Sequence, residues 1–520
     1  MIARLLQLLL VALLAAAAAA QVETQDPEDA VKEFRKFFKK TKDEPSLVAA
    51  VMTLKGNECQ PAAEDLVKLL KHPMPTVQQA SLAVLETYSK PETFQPWIDG
   101  MPKADADTRL QSVRVFGQAR LKAAVPAIRV ALADPKAAVP LKFEGARALQ
   151  RIGDGSVSDV LGPLLGDADA SVRLAAVDAA GALKLVDLGP KVVPLLSDPE
   201  WQVQSAAVSA TGQLRPQQGV QPLIDLMRKA GRLRTECADA LFRVTGFDFG
   251  VDPDQWQKQW DRLMAIEGWR IPTEEELAKK AESRKKYDAF YGKKEQTNTF
   301  AGIPTTSTRV LFIIDVSGSM DDLVVEREKF QGYENFKKFT VVKTELLRTL
   351  DTLTEETYFD IVAFATDLHT WKKKLVPANL VNRDAAKSWV SRLGPIGGAD
   401  QQEMAASGLT GAANLSAGKT NTLKALMYAF GIDPDNPPKA PATGAPRAAI
   451  ANKIDTVYFL SDGRPSVGRL VDTNEIRKEV RHWNDFYRIV FHAIAIGEFQ
   501  KEFLRDLATE NGGVFVDLGR

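Results

Sequence analysis

Cysteine is almost missing from these 520 residues, with Cys59 and Cys237 the only two. That scarcity excludes a disulfide-stapled scaffold, which needs several bridges in a short chain. Histidine is nearly as rare: His72, His369, His482 and His492 are scattered without metal-ligand spacing. With no His/Cys cluster, zinc and the softer metals have no obvious donor set. An excess of one charge is missing too, since Lys+Arg and Asp+Glu number 67 each. No basic stripe interleaved with aromatics is present to draw in nucleic acid or an anionic membrane. There is also no G-x-S-x-G elbow, no H-E-x-x-H and no recognisable Cys–His pair. The expectation is a protein that is not an enzyme.

Long apolar runs are confined to the N-terminus. "MIARLLQLLLVALLAAAAAA" carries Arg4, an apolar run from Leu5 to Ala20, and small residues before the polar "QVETQDPED". This is the layout of a signal peptide over 1–20, with cleavage near Ala18 to Ala20 and a mature chain beginning near Gln21. An uncleaved anchor is the alternative, although the run falls short of the ~20 residues that span a bilayer. No cysteine near residue 20 offers a lipid anchor. An exported protein, periplasmic or secreted, with no membrane span in the mature chain is therefore expected.

Residues 21–44 read as a polar, helical lead-in, and from about 45 to 246 the sequence repeats itself. "LGPLLGDADASVRLAAVDAAGALKL" and "VVPLLSDPEWQVQSAAVSATGQLRP" match at a step of 31 residues, which pairs Asp167 with Asp198, Val172 with Val203, and Gly181 with Gly212. Looser copies lie around Leu70, Leu110, Leu132 and Leu226. Each unit is an apolar helix, an Asp/Pro turn and a second helix rich in Ala, Val and Leu. A period near 30 with two helices per unit predicts an all-α solenoid. The region resembles HEAT repeats, particularly their short bacterial form; an irregular all-α domain is the alternative. Packed helices stack about 8–10 Å apart. Cys59 and Cys237, five or six repeats apart, are thus expected as two buried, unpaired thiols.

Residues 247–304 form a connector. In it, Trp256 and Trp260 share a helical face suited to capping the last repeat. Thr273 and Glu276 are spaced as a capping box before a charged, solvated helix.

From 305 to 520 the grammar changes. "RVLFIIDVS" is a nearly continuous apolar run, as for a parallel strand buried on both faces. The helix "FTVVKTELLRTLDTL" follows, with Val342, Leu346, Leu350 and Leu353 on one face. "YFDIVAFAT" and "LHTWKKKLV" read as strands, and the alternation continues to "VFVDL". Such alternation predicts an α/β doubly wound, mainly parallel sheet.

Gly418-Lys419-Thr420 looks like the end of a phosphate-binding loop. Five positions before Gly418, however, stands Ala413 rather than glycine, and no strand precedes it. In a doubly wound sheet, ligands bind past the carboxyl ends of the strands. "DVSGSM" supplies Asp315, Ser317 and Ser319 there, "VYFLSDG" supplies Asp462, and Thr420 begins a helix between them.

This resembles the von Willebrand factor A domain and its metal-ion-dependent adhesion site. The resemblance implies Asp315, Ser317, Ser319, Thr420 and Asp462 as ligands, with the two aspartates often acting through water. Such an oxygen-only set suits Mg²⁺, or Mn²⁺, with Ca²⁺ possible. The pattern departs from the family in two insertions, near 321–339 and 399–417, which either shape specificity or are drifted loops. The second insertion also leaves Thr410 as an alternative to Thr420.

Taken as a whole, the sequence resembles an exported bacterial protein that joins a HEAT solenoid to a von Willebrand factor A domain. The expected function is divalent-cation-dependent protein–protein interaction, as in adhesion or envelope assembly. A partner Asp or Glu would complete the metal shell, and the solenoid would offer a second binding surface. The alternative is a solenoid scaffold with a merely structural metal site. A nucleotide or metal-assisted hydrolase is a third class.

Overall fold

The computed structural model describes residues 26–229, 231–291, 299–300, 302–304, 307–407, 416–434, 452–462, 464–497 and 501–518. The expected signal peptide and Thr410 lie outside the described residues. The chain divides into two compact units, Met1–Leu164 and Leu165–Arg520. The second unit takes in the last repeats together with the sheet, so this division falls elsewhere than the change of grammar near 305.

The first unit is built of helices. Two neighbours, α1 (Ala106–Gln118) and α2 (Val139–Ile152), show why their sequences pair. Asp105 caps α1 by accepting from the Thr108 amide at 2.9 Å. Arg114 on α1 forms an ion pair with Glu144 on α2 at 3.1 Å. The backbones meet at Gly117, where a Cβ would stand 2.7 Å from the Ala148 Cα. Only glycine fits that crossing.

The second unit opens with α3 (Ala170–Ala182), α4 (Trp201–Leu214) and α5 (Leu233–Thr245). The same close approach recurs: a Cβ on Gly181 or Gly212 would lie 3.2 Å from the Cα of Ala210 or Ala240. Ala175, Ala176, Ala179 and Ala180 are all buried. The repeated aspartates do equivalent work. Asp167 accepts from the Asp169 amide at 2.9 Å, and Asp198 from the Glu200 amide at 3.0 Å. Asp198 also holds Arg173 through two bonds of 2.7 and 2.9 Å. Both cysteines are free thiols, but only Cys237 is buried as expected; Cys59 stands at the N-cap position of the helix Gln60–Leu69 and stays half-buried.

In the connector, helix α6 (Pro253–Met264) buries Trp256 edge-on against Phe249. Trp260 turns instead to Trp269, with ring centroids 5.6 Å apart. Only the first of the pair is fully buried. The capping box forms as its spacing predicts, with Thr273 N to Glu276 Oε2 at 2.7 Å and Glu276 N to Thr273 Oγ1 at 3.2 Å.

The sheet contains, among the described residues, β1 (Arg309–Asp315), β2 (Tyr358–Phe364), β3 (Leu368–Thr370), β4 (Val376–Pro377), β5 (Thr456–Ser461), β6 (Val490–Ala495) and β7 (Phe515–Asp517). Their order is β3-β2-β1-β5-β6-β7, with β4 also on β2. The five long-range neighbours β2, β1, β5, β6 and β7 run parallel, and β3 and β4 pair antiparallel with β2. Helices α7 (Lys338–Thr352), α8 (Leu380–Ser391), α9 (Ala399–Ala406), α10 (Thr422–Ala429) and α11 (Thr473–Tyr487) connect the strands. The chain leaves β1 toward β2 on one side and returns to β5 on the other, which makes the carboxyl end of β1 the switch point.

"LHTWKKKLV" is not the single strand its pattern predicts. The Lys372 amide bonds to the Asp360 side chain at 3.0 Å instead of to a backbone carbonyl, and the ladder breaks there into β3 and β4.

The last repeats are tied to the amino edge of this sheet. Arg232, buried beside Trp201, donates to the carbonyls of Asp455 at 2.9 Å and Arg488 at 2.5 Å. Asp178 on α3 pairs with Arg488, and Trp201 donates to the Asn452 carbonyl at 3.4 Å.

Two measurements check this packing. Gly117→Ala should cost about 1–3 kcal/mol through overpacking. Gly100→Ala, at a helix end with nothing within 4 Å of the new Cβ, should be neutral or stabilising by up to about 1 kcal/mol. Chemical denaturation that ranks the two the other way contradicts the crossing.

His492 gives a second test. It stacks on Tyr458, its Nδ1 accepts from the Val514 amide at 3.1 Å, and burial, with Arg232 nearby, holds it down to about 4 against an ordinary 6.5. Between those values the unfolded chain takes up a proton that the folded chain refuses, so stability falls as pH drops from 6.5 toward 4. His492→Asn keeps an acceptor and cannot titrate. Its stability deficit relative to wild type should therefore shrink over that window; a deficit independent of pH counts against the assignment.

Candidate functional site

The site is built at the switch point, from the loops that follow β1 and β5 and the turn that opens α10. Asp315, the last residue of β1, is fully buried. Its Oδ1 accepts from the Ser317 amide at 2.8 Å and its Oδ2 from the Ser461 hydroxyl at 2.6 Å. Burial first, and then the like charge of Asp462, push its carboxyl up to about 7. Asp462, also buried, follows β5 and accepts from the Ser319 hydroxyl at 2.9 Å. The Ser317 and Ser319 hydroxyl oxygens lie 3.3 Å apart. The structure thus links Asp315, Ser317, Ser319 and Asp462 in one chain of contacts.

Thr420 reaches the same edge on a loop held by backbone. The Gly318 amide donates to the Gly418 carbonyl at 3.0 Å. Gly418 itself is forced by crowding: a Cβ there would sit 2.2 Å from the Ile396 carbonyl oxygen, and one on Gly318 would sit 3.1 Å from that of Gly397. Gly318, Gly398 and Gly418 therefore let the loops touch. Thr420 is buried between them, while Lys419 is exposed.

The phosphate-loop reading fails on the amides. Lys419 N donates to Thr366 Oγ1 at 3.2 Å, Thr420 N to Ser466 Oγ at 2.9 Å, and Asn421 N to the Ala365 carbonyl at 2.9 Å. A phosphate cradle needs such N–H groups unspent.

The two insertions meet each other at the rim. Asp321 accepts from Lys337 at 2.8 Å and from the Asp400 amide, at the start of α9, at 2.8 Å. Lys337 also pairs with the Asp400 carboxylate.

Two functional neighbours were not foreseen. Ser461, a hydroxyl inside an otherwise apolar strand run, was visible as an anomaly in "VYFLSDG". Lys338 was not distinguishable in sequence from Lys337 beside it. Its ammonium lies 2.6 Å from Asp462 Oδ2.

Chemically, the cluster offers two carboxylates and three hydroxyls, with neither nitrogen nor sulfur ligands. Among the described residues no group of three or more His, Cys, Asp or Glu is placed to hold a metal, so any ion here must rely on the hydroxyls as well. That set fits a hard divalent cation. A cavity of about 890 Å³, lined in part by Arg309, Asp360, Tyr428 and Asn452, opens at the other edge of the sheet.

Comparison with known proteins supports the helical-repeat part of the architecture. A family model described as HEAT repeats matches residues 158–242. Inter-alpha-trypsin inhibitor heavy chain H1 of Sus scrofa is 28% identical over 207 residues, which is 39% of this chain and 18% of that protein. The human heavy chain H4 is 25% identical over 215 residues, 41% of this chain and 18% of its own length. The chain thus spans about a fifth of these relatives. A von Willebrand factor type A structure from Catenulispora acidiphila is 20% identical, covering 41% of this chain and 39% of its own, with a TM-score of 0.26. The strand order and loop placement traced above, rather than that likeness, define the fold.

Gly418→Ala should destabilise the protein by about 1–3 kcal/mol, because the loop must move away from Ile396. Lys419→Ala should stay within about 0.5 kcal/mol of wild type. Titration of Mg²⁺-saturated wild type with Mg-ATP should give no further binding heat; heat that disappears in Lys419→Ala would restore the nucleotide reading.

Proposed function

We propose that this chain is an exported binding protein that grips a protein partner through a divalent cation held at the carboxyl edge of its sheet. The supporting observation is the meeting of Asp315, Ser317, Ser319 and Asp462 in one contact chain, with Thr420 buried on the adjoining loop. These residues would hold Mg²⁺, or Mn²⁺ or Ca²⁺, and the ion would present a positive centre to an Asp or Glu of the partner. The helical repeats supply a second surface, suited to adhesion or envelope assembly. Export rests on the N-terminal run. Among the described residues, no helix is long and apolar enough to cross a membrane.

The test separates this reading from a scaffold whose metal site is only structural. Asp315→Asn preserves the acceptor for Ser317 and removes the charge. It should weaken Mg²⁺ binding by at least about 10-fold in calorimetry. Capture of partner from the native envelope should fall in parallel, and EDTA should mimic the variant. A folded Asp315→Asn protein that captures its partner as well as wild type leaves the scaffold reading standing and removes this one.

A further inference from the structure

One group at the site is unlike the rest. Lys338 is buried, with its side chain only 7% exposed. Its ammonium lies 2.6 Å from Asp462 Oδ2 and 3.4 Å from the Ser319 carbonyl, with the exposed Asp322 carboxylate 3.5 Å away. It is also the first residue of α7, where the helix dipole disfavours a positive charge. A buried ammonium at the wrong end of a helix needs an anion, and the nearest is Asp462. The neighbouring Lys337 is spent differently, on Asp321 and Asp400 at the rim.

We propose that Lys338 is a built-in counter-charge of the metal site, which weakens cation binding until an external carboxylate joins the ion. The inference rests on the metal reading above and adds to it a rule for when the ion is held. Asp315 and Asp462 together bring two negative charges, and Lys338 returns one positive charge to the same pocket. A divalent ion placed there is left with unbalanced positive charge. It is also repelled by a fixed ammonium that shares one of its ligands, in a setting where solvent screens little. A carboxylate from outside supplies the missing negative charge. Cation and carboxylate therefore bind as a pair, each raising the other's affinity by the same factor. Losing the orienting bond to Asp462 acts in the opposite direction, but Ser319 still holds its other oxygen.

The experiment measures Mn²⁺ binding by electron paramagnetic resonance, with and without excess acetate, on the full chain. Wild type should bind Mn²⁺ about 10-fold more tightly when acetate is present. Lys338→Met should bind Mn²⁺ alone about 10-fold more tightly than wild type and lose most of the acetate effect, and Lys338→Gln should behave alike. Mn²⁺ affinity in wild type that does not respond to acetate overturns the proposal, whether or not the variants fold. So does a folded Lys338→Met protein that binds Mn²⁺ no more tightly than wild type. If neither wild type nor variant binds Mn²⁺ at millimolar concentration, acetate present or absent, the metal reading itself is overturned along with this inference. Binding by Lys338→Met without acetate, where wild type binds only with acetate present, supports the counter-charge in its strongest form.

Discussion

Asp315 and Asp462 are two like charges buried at one edge of an apolar sheet, and that burial dictates the surroundings. A carboxylate withdrawn from water must be hydrogen-bonded or paired. The amide of Ser317, the hydroxyls of Ser319 and Ser461, and the ammonium of Lys338 meet that demand. The geometry of the loops follows from bringing those donors in. The β1 loop must bend back on Asp315 to bring in the Ser317 amide, and the Gly418 loop packs against that loop through the Gly318 amide. Burial first, and the like charge of Asp462 second, hold the Asp315 carboxyl up, and a cation at this edge would relieve both.

A steric constraint governs the helical repeats in a comparable way. Their helices approach until a single Cβ decides the distance, at Gly117, Gly181 and Gly212. Such packing gives up hydrogen-bonding side chains for backbone proximity. The repeats then rely on turn aspartates such as Asp167 and Asp198 to satisfy exposed amides.

Much of this was legible in the sequence because it depended on local pattern. The 31-residue step, the apolar run of β1, the capping box at Thr273 and the order of the oxygen-bearing loops are all periodicity or spacing. What escaped depended on contacts distant in sequence. Lys338 meets Asp462 across 124 positions, and nothing in "FKKFT" marks one lysine over the other. The break between β3 and β4 escaped because a side chain, Asp360, took an amide that backbone pairing would have used. The boundary between compact units was hidden for the same reason. Arg232 and Arg488 join segments whose sequence grammars differ, and grammar carries no information about docking.

That docking has a mechanical consequence. Arg232 fastens the repeats to the carbonyls of Asp455 and Arg488, just before β5 and β6, whereas Asp315 and Asp462 stand at the opposite ends of β1 and β5. A pull on the loop cluster, resisted by the repeats, runs lengthwise along parallel strands instead of across them. The ladder bonds joining β5 to β1 and β6 then share the load and must shear together, not peel one after another. Under such a load, the register of the sheet would set how many bonds must break at once.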